Sequence, residues 1–250
     1  MVRTEPAPLS AITSRIPHPG GDVRVPGGSL VSGVFAQLSE WRRARVFHPR
    51  GLRLGGTLEV SADGPLGRSG DRLDVTVRLS KAAGTPGGAP DVLGIALRAD
   101  GEGTRSWDLT FASVVPGPLG RMLLWPARSW SGTTFSSLAP YRSPDGLVWL
   151  LARMDSPVPD DRAAIDPLRA MIERGVRLRI SLRTAGPTGG THVVGRIELD
   201  TVQTDTDAAR SSFDPMTNPP PSGHLYPHWL TTVRELAYRG SRSGRDRANA

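Results

Sequence analysis

Two segments far apart in the chain alternate apolar and polar residues with a period of two. In the first, Leu73, Val75, Val77 and Leu79 stand against Asp74, Thr76, Arg78 and Ser80. In the second, Val176, Leu178, Ile180 and Leu182 stand against Arg177, Arg179, Ser181 and Arg183. Successive side chains of a strand point to opposite faces, so each segment predicts a strand with one apolar face. Five more runs read as strands: 52–60, 92–98, 107–114, 147–153 and 192–199. Gly55 and Gly56 mark a bend or bulge inside the first of these. The 29 glycines and 23 prolines follow no period and serve as turn punctuation between short elements.

Helical spacing appears in three places. Leu30, Val34, Leu38 and Trp41 predict a helix over 29–44, and a third helix is expected over 228–239. Between them, Ile165, Leu168 and Ile172 form one stripe of a helix over 161–174, with Gly175 where a C-terminal cap would sit. Many short, mostly antiparallel strands with a few helices predict an α+β chain, an antiparallel β-barrel with flanking helices. Residues 1–28 read as an extended arm, 29–240 as a single domain and 241–250 as a polar tail.

Composition removes several function classes. The chain has no cysteine, which excludes disulfides, thiolate metal sites and cysteine nucleophiles. It also fits a reducing compartment, and a cytoplasmic location is expected. Met1 to Ser14 carries no apolar core of a signal peptide. The longest apolar run, Leu147 to Ala152, is too short to span a bilayer, so no transmembrane segment is expected. A net charge of +7 invites nucleic acid or anionic surfaces as partners. Yet Lys81 is the single lysine, the arginines are dispersed, and no aromatics interleave with them as stacking platforms. Nucleic acid is therefore not expected as a partner.

The five histidines, His18, His48, His192, His224 and His228, show no metal-ligand spacing. No nucleophile elbow, Walker loop or dinucleotide fingerprint is present, and the glycine clusters at Gly84–Gly88 and Gly186–Gly190 read as turns. Two patches remain. Arg45-Val46-Phe47-His48-Pro49-Arg50-Gly51 precedes a strand, where a histidine could equally be a surface residue of a helix-to-strand connection. Arg234 and Tyr238 are four apart on a predicted helix and face the same way. A guanidinium beside a phenol favours the phenolate, a hard anionic oxygen suited to ferric iron. An amphipathic helix with Tyr238 against the core would show the same spacing.

Taken in order, these pieces resemble the catalase family of haem proteins. RVFHPRG (45–51) is similar to the family's distal-histidine stretch, VTVRLSKAAG (75–84) to its next strand, and PDVLGIALR (90–98) and WDLTFAS (107–113) to the two after that. LRAMIERGVRLRISLRT (168–184) parallels its helix and strand, SFDPMTN (212–218) its F-x-P-x-N stretch, and RELAYRGSRSGR (234–245) its proximal motif. No one motif is decisive, but their shared order over about 200 residues is specific. The family's N-terminal arm, wrapping segment and C-terminal helices are mostly absent, so the resemblance is to a minimal core with a haem pocket.

The resemblance implies haem as cofactor and a role for each matching residue. Tyr238 would be the proximal iron ligand, held as phenolate by Arg234. His48 would be the distal acid–base group, its ring fixed by a hydrogen bond with Ser80. Arg45 and Arg78 would pair with the haem propionates, and Phe47 would be an apolar neighbour. Val77 would point away from the pocket, because Arg78 and Ser80 share the opposite face of their strand. A haem inside the barrel would then need polar groups on an interior face, which this strand would supply.

Ser113 stands near the place of the family's distal asparagine, and SVVPGPL (113–119) replaces the run that walls its pocket. The implied reaction is cleavage of the O–O bond of hydrogen peroxide or, more in keeping with these departures, of organic or lipid hydroperoxides, as a peroxidase. Rearrangement of a fatty acid hydroperoxide, and a non-catalytic barrel carrying haem or another ligand, are the alternatives. With the family's arms largely missing, a monomer or homodimer is expected.

Overall fold

A computed structural model of the chain describes residues 51–101, 105–144, 146–158, 162–204 and 213–226. The elements run in chain order as β1 (Gly51–Val60), β2 (Arg72–Lys81), β3 (Leu93–Asp100), β4 (Trp107–Ser113), β5 (Phe135–Ser136), β6 (Tyr141–Ser143), β7 (Gly146–Met154), α1 (Asp166–Glu173), β8 (Leu178–Ala185), β9 (Thr191–Gln203) and β10 (His224–Leu225). Eight strands close into an antiparallel barrel in the order β1, β2, β3, β4, β5, β7, β8, β9 and back to β1. β6 and β10 extend the sheet beside β7. The seven strands expected from the sequence are all present. The three that were not anticipated, β5, β6 and β10, span two or three residues and carry no period to read.

The barrel interior is a packed apolar core. Leu54, Val77, Leu97 and Leu109 lie opposite one another across β1 to β4, each fully buried. Val75 and Leu79 of β2, and Leu178, Ile180 and Leu182 of β8, belong to the same cluster. A fully buried leucine or isoleucine contributes roughly 1.5–3 kcal/mol relative to exposure, so this interior is the main stabilising term.

The alternation in β2 therefore resolves in one sense. Its apolar residues fill the interior, and Thr76, Arg78 and Ser80 sit half-buried on the outer face. This corrects the expectation of polar groups lining the inside of the barrel for a haem there. In a small barrel the interior is filled by side chains, and the apolar face must be the inner one.

Gly55 and Gly56 do mark a bulge. Between them the pairing with β9 jumps from Thr201 to Leu199, which leaves Asp200 as the extra residue. A Cβ on Gly56 would run into the carbonyl of Glu198, so glycine lets the two backbones close the barrel seam.

The helix expected over 161–174 is shorter, Asp166 to Glu173. Pro167 suits the first turn, where its missing N–H has no partner to lose. Past its end, Gly175 has φ +78, its N–H donates to Ile172 O at 2.8 Å, and Val176 N–H donates to Met171 O at 2.9 Å. That pair of bonds is a Schellman cap. Leu168, Met171 and Ile172 set the helix into the core.

Among the described residues this is the one α-helix, with a single 3-10 turn at Gly120–Met122. The arm 1–28, the expected helices 29–44 and 228–239, and the tail 241–250 lie outside the described residues. No helix among the described residues is long and apolar enough to cross a membrane.

Candidate functional site

The outer face of β1 to β4 forms a floor of mostly small side chains with arginines among them. The strand registers place three rows across it. Gly51, Ser80, Gly94 and Ala112 make the first. Arg53, Arg78, Ala96 and Thr110 make the second, and Gly55, Thr76, Arg98 and Asp108 the third. Arg53 and Arg78 are thus direct cross-strand neighbours, an arrangement that is repulsive for like charges. The Arg78 guanidinium lies over Gly51, where a Cβ would come within 2.8 Å of it.

Arg53 is 7% exposed, and its buried Nε makes no hydrogen bond. Its guanidinium stands 5.7 Å from the centre of the Phe213 ring, a cation–π contact. A cavity of about 180 Å³ opens beside it, lined by Gly51, Arg53, Arg169, Val202, Gln203 and Thr204. Removing a guanidinium from water is unfavourable unless an anion or acceptor compensates. Two arginines, a glutamine and a threonine around one opening, with no carboxylate among the described lining residues, suit it to an anionic group.

The third row is closed by a carboxylate. Arg98 Nε and Nη2 each donate to Asp108 at 2.8 Å, a bidentate pair with Asp108 fully buried. The bond to Asp108 raises the Arg98 pKa above its ordinary value, against the effect of burial. The same carboxylate accepts from Asp214 N–H at 2.7 Å and from Asn218 Nδ2 at 3.1 Å. Asp108 N–H donates to Asn218 O at 2.8 Å. Phe213 is shared, since Arg98 lies 5.6 Å from its centre. Three segments that carried the resemblance, 90–98, 107–113 and 212–218, are therefore joined through one buried carboxylate.

The expected site residues distribute as follows. Arg78 and Ser80 lie together on the outer face, and Val77 points the other way into the core. Ser113 is on the opposite face from Ser80, in the register row of Leu93, and is 1% exposed. Its Oγ accepts from Leu93 N–H at 3.0 Å and donates to Trp125 O at 2.7 Å, so it ties two backbone segments together. His48, Arg45, Phe47, Arg234 and Tyr238 lie outside the described residues.

Arg53 and Phe213 were missed by sequence reasoning. Arg53 carried a faint signal, a polar residue between Leu52 and Leu54. Phe213 comes to the floor from more than a hundred residues away; it stood in the SFDPMTN stretch of the resemblance but was given no role there.

No protein-family model matches the chain, and no curated protein matches it.

Proposed function

We propose that this chain is a haem-dependent, catalase-like peroxidase, cleaving the O–O bond of hydrogen peroxide or of organic hydroperoxides. Besides the ordered motifs, one observation carries this reading: the grouping of Gly51, Arg53, Arg78 and Ser80 on the outer floor. Ser80 is the cross-strand partner of Gly51. His48 precedes Gly51 by three residues, a reach of at most about 11 Å along the chain. The proposed bond between Ser80 and His48 is therefore within covalent reach.

The residues present fit the proposed cofactor at its charged edge. Arg78, with Arg45, would hold the propionates as bidentate donors, and Arg53 on the neighbouring strand would add a third donor whose Nε is unbonded. Tyr238 would ligate the iron, with Arg234 stabilising its phenolate. His48 would take a proton from the bound hydroperoxide and return it to the leaving oxygen, with Ser80 orienting the ring. When bound, ferric haem would supply the electrons for O–O cleavage.

The test is the visible spectrum of the purified full chain after adding haemin, beside Tyr238→Phe and Arg78→Gln. A high-spin ferric spectrum lost in Tyr238→Phe and weakened at least tenfold in titration with Arg78→Gln supports the reading. An unchanged spectrum in Tyr238→Phe overturns the ligand assignment.

A second reading, a haem carrier without peroxide chemistry, is favoured by Ser113, whose hydroxyl is committed to backbone partners on the other face of the sheet. Peroxide turnover that is unchanged in His48→Ala would favour the carrier.

A further inference from the structure

A second arginine cluster lies across the barrel from the first. β7 and β8 stand opposite β2 and β3 in the closed wall. The connection from β4 to β5 and the β8–β9 turn line, with β7 and β8, a half-open cavity of about 210 Å³. Its polar lining is Arg121, Arg153, Arg183, Thr134 and Thr191, and among the described residues no carboxylate lines it.

The cavity walls are held by backbone contacts. Arg121 N–H donates to Gly117 O at 3.1 Å, and Leu123 N–H to Gly120 O at 2.8 Å. A Cβ on Gly120 would lie 2.5 Å from Val115 O, and one on Gly189 would lie 2.8 Å from Pro118, so both glycines allow close approach. Arg121 Nη2 donates to Pro187 O at 3.1 Å, and its guanidinium stacks 4.1 Å from the Trp149 ring centre.

These contacts leave charge uncompensated. Arg121 is 3% exposed, and its Nε is buried without a hydrogen bond. Arg183 Nε is buried and unbonded as well. Burial holds the Arg121 guanidinium below its ordinary range, as expected of a cation withdrawn from water. Arginine nonetheless stays charged in proteins, so an anion would relieve both groups at once. Planar guanidinium forks and threonine hydroxyls suit a tetrahedral oxyanion. The volume is below the roughly 300 Å³ at which pockets for drug-sized ligands begin, so the occupant is a small group.

We propose that this cavity is a phosphate-binding site, with Arg121 and Arg183 as its principal donors. The phosphate could be free or the headgroup of an anionic lipid. The second source has a physical basis in the same connection, where Leu119 is 78% exposed, Trp125 59% and Leu123 42%. The site is independent of the haem reading, since it lies on the other side of the barrel.

The full chain is titrated calorimetrically with inorganic phosphate at constant ionic strength. In parallel it is sedimented with phosphatidylcholine vesicles, with and without phosphatidic acid. Arg183→Gln is the main variant, Arg121→Gln a second, and Arg177→Gln on the exposed face of the barrel the control. Phosphate binding with a Kd below about 1 mM, weakened at least tenfold in Arg183→Gln but not in Arg177→Gln, supports a free phosphate. Binding to phosphatidic acid vesicles alone, with the same variant pattern, supports a headgroup. No binding of either probe overturns the proposal, as does equal loss in Arg177→Gln or none in Arg183→Gln. Arg183→Gln decides the matter even where Arg121→Gln does not fold.

Discussion

Arg98 and Asp108 face each other across β3 and β4 through two parallel 2.8 Å bonds, and the carboxylate has no exposed surface. Around this pair the 213–218 segment is fastened to the barrel wall. Asp108→Ala would leave a partly buried guanidinium without its counter-ion and two donors of the segment without an acceptor. Breaking a buried pair from one side costs about 3–5 kcal/mol. Urea unfolding of Asp108→Ala should show a loss of that order. A loss of only a few tenths would mean that the latch contributes little.

Gly56 sits where β1 and β9 approach most closely, at the bulge. Gly56→Ala would force the two backbones apart at the seam of the barrel. The expected loss is at least about 2 kcal/mol, in the range of other overpacking changes. Gly186→Ala, with nothing within 4 Å of the added carbon, is the matched control and should stay within about 0.5 kcal/mol.

Arg53 gives a prediction in which stability and binding move in opposite directions. Arg53→Met keeps the stem and removes a buried charge that faces Arg78. Replacing buried charge with apolar volume is often neutral or stabilising by about 1–4 kcal/mol. The melting temperature should therefore hold or rise, by about 2–4 °C per kcal/mol for a chain of this size. Haemin affinity should fall at least tenfold on the proposed reading. A drop in both would make Arg53 a purely structural residue.

Lys81 supplies a pH dependence. Its ammonium is buried at the end of β2 and donates to Gly87 O at 2.9 Å and Ala89 O at 3.0 Å. Desolvation lowers its pKa below 10.5, with Asp91 acting in the other direction. Between the lowered folded value and 10.5 the unfolded chain binds more protons than the folded one. Stability from this group therefore rises with pH through that window and is flat below it. In urea midpoints measured from neutral pH to about 10.5, wild type should gain on Lys81→Met as pH rises. A difference that stays constant or shrinks would contradict the assignment.

The strands were legible because their side chains obey a period of two, as Leu73 to Ser80 does without a break. The bulge was legible for the same reason, since Gly55-Gly56 interrupts an otherwise regular run. Periodicity divides a strand into two faces but does not say what lies beyond each. Arg78 and Ser80 were correctly placed on one face, and that face proved to be the outer one. Asp214 and Asn218 reach Asp108, and Phe213 reaches Arg53 and Arg98, through a separation that no local pattern encodes. The arginine cavity was invisible for a further reason: Arg121 is presented by an irregular connection, shaped by glycines rather than by a repeat.

The seam at which residues 53–60 meet residues 195–203 sets the order in which this chain can become a barrel. During synthesis β1 emerges early and β9 late, so the first four strands can assemble only as an open, curling sheet. Throughout that time one edge of β1 offers unpaired N–H and C=O groups to any passing strand. Closure brings together positions that are remote in sequence, which is the slow kind of contact. A nascent chain arrested before β9 would thus carry the full hazard of an exposed edge, and the last barrel strand to arrive is the one that removes it.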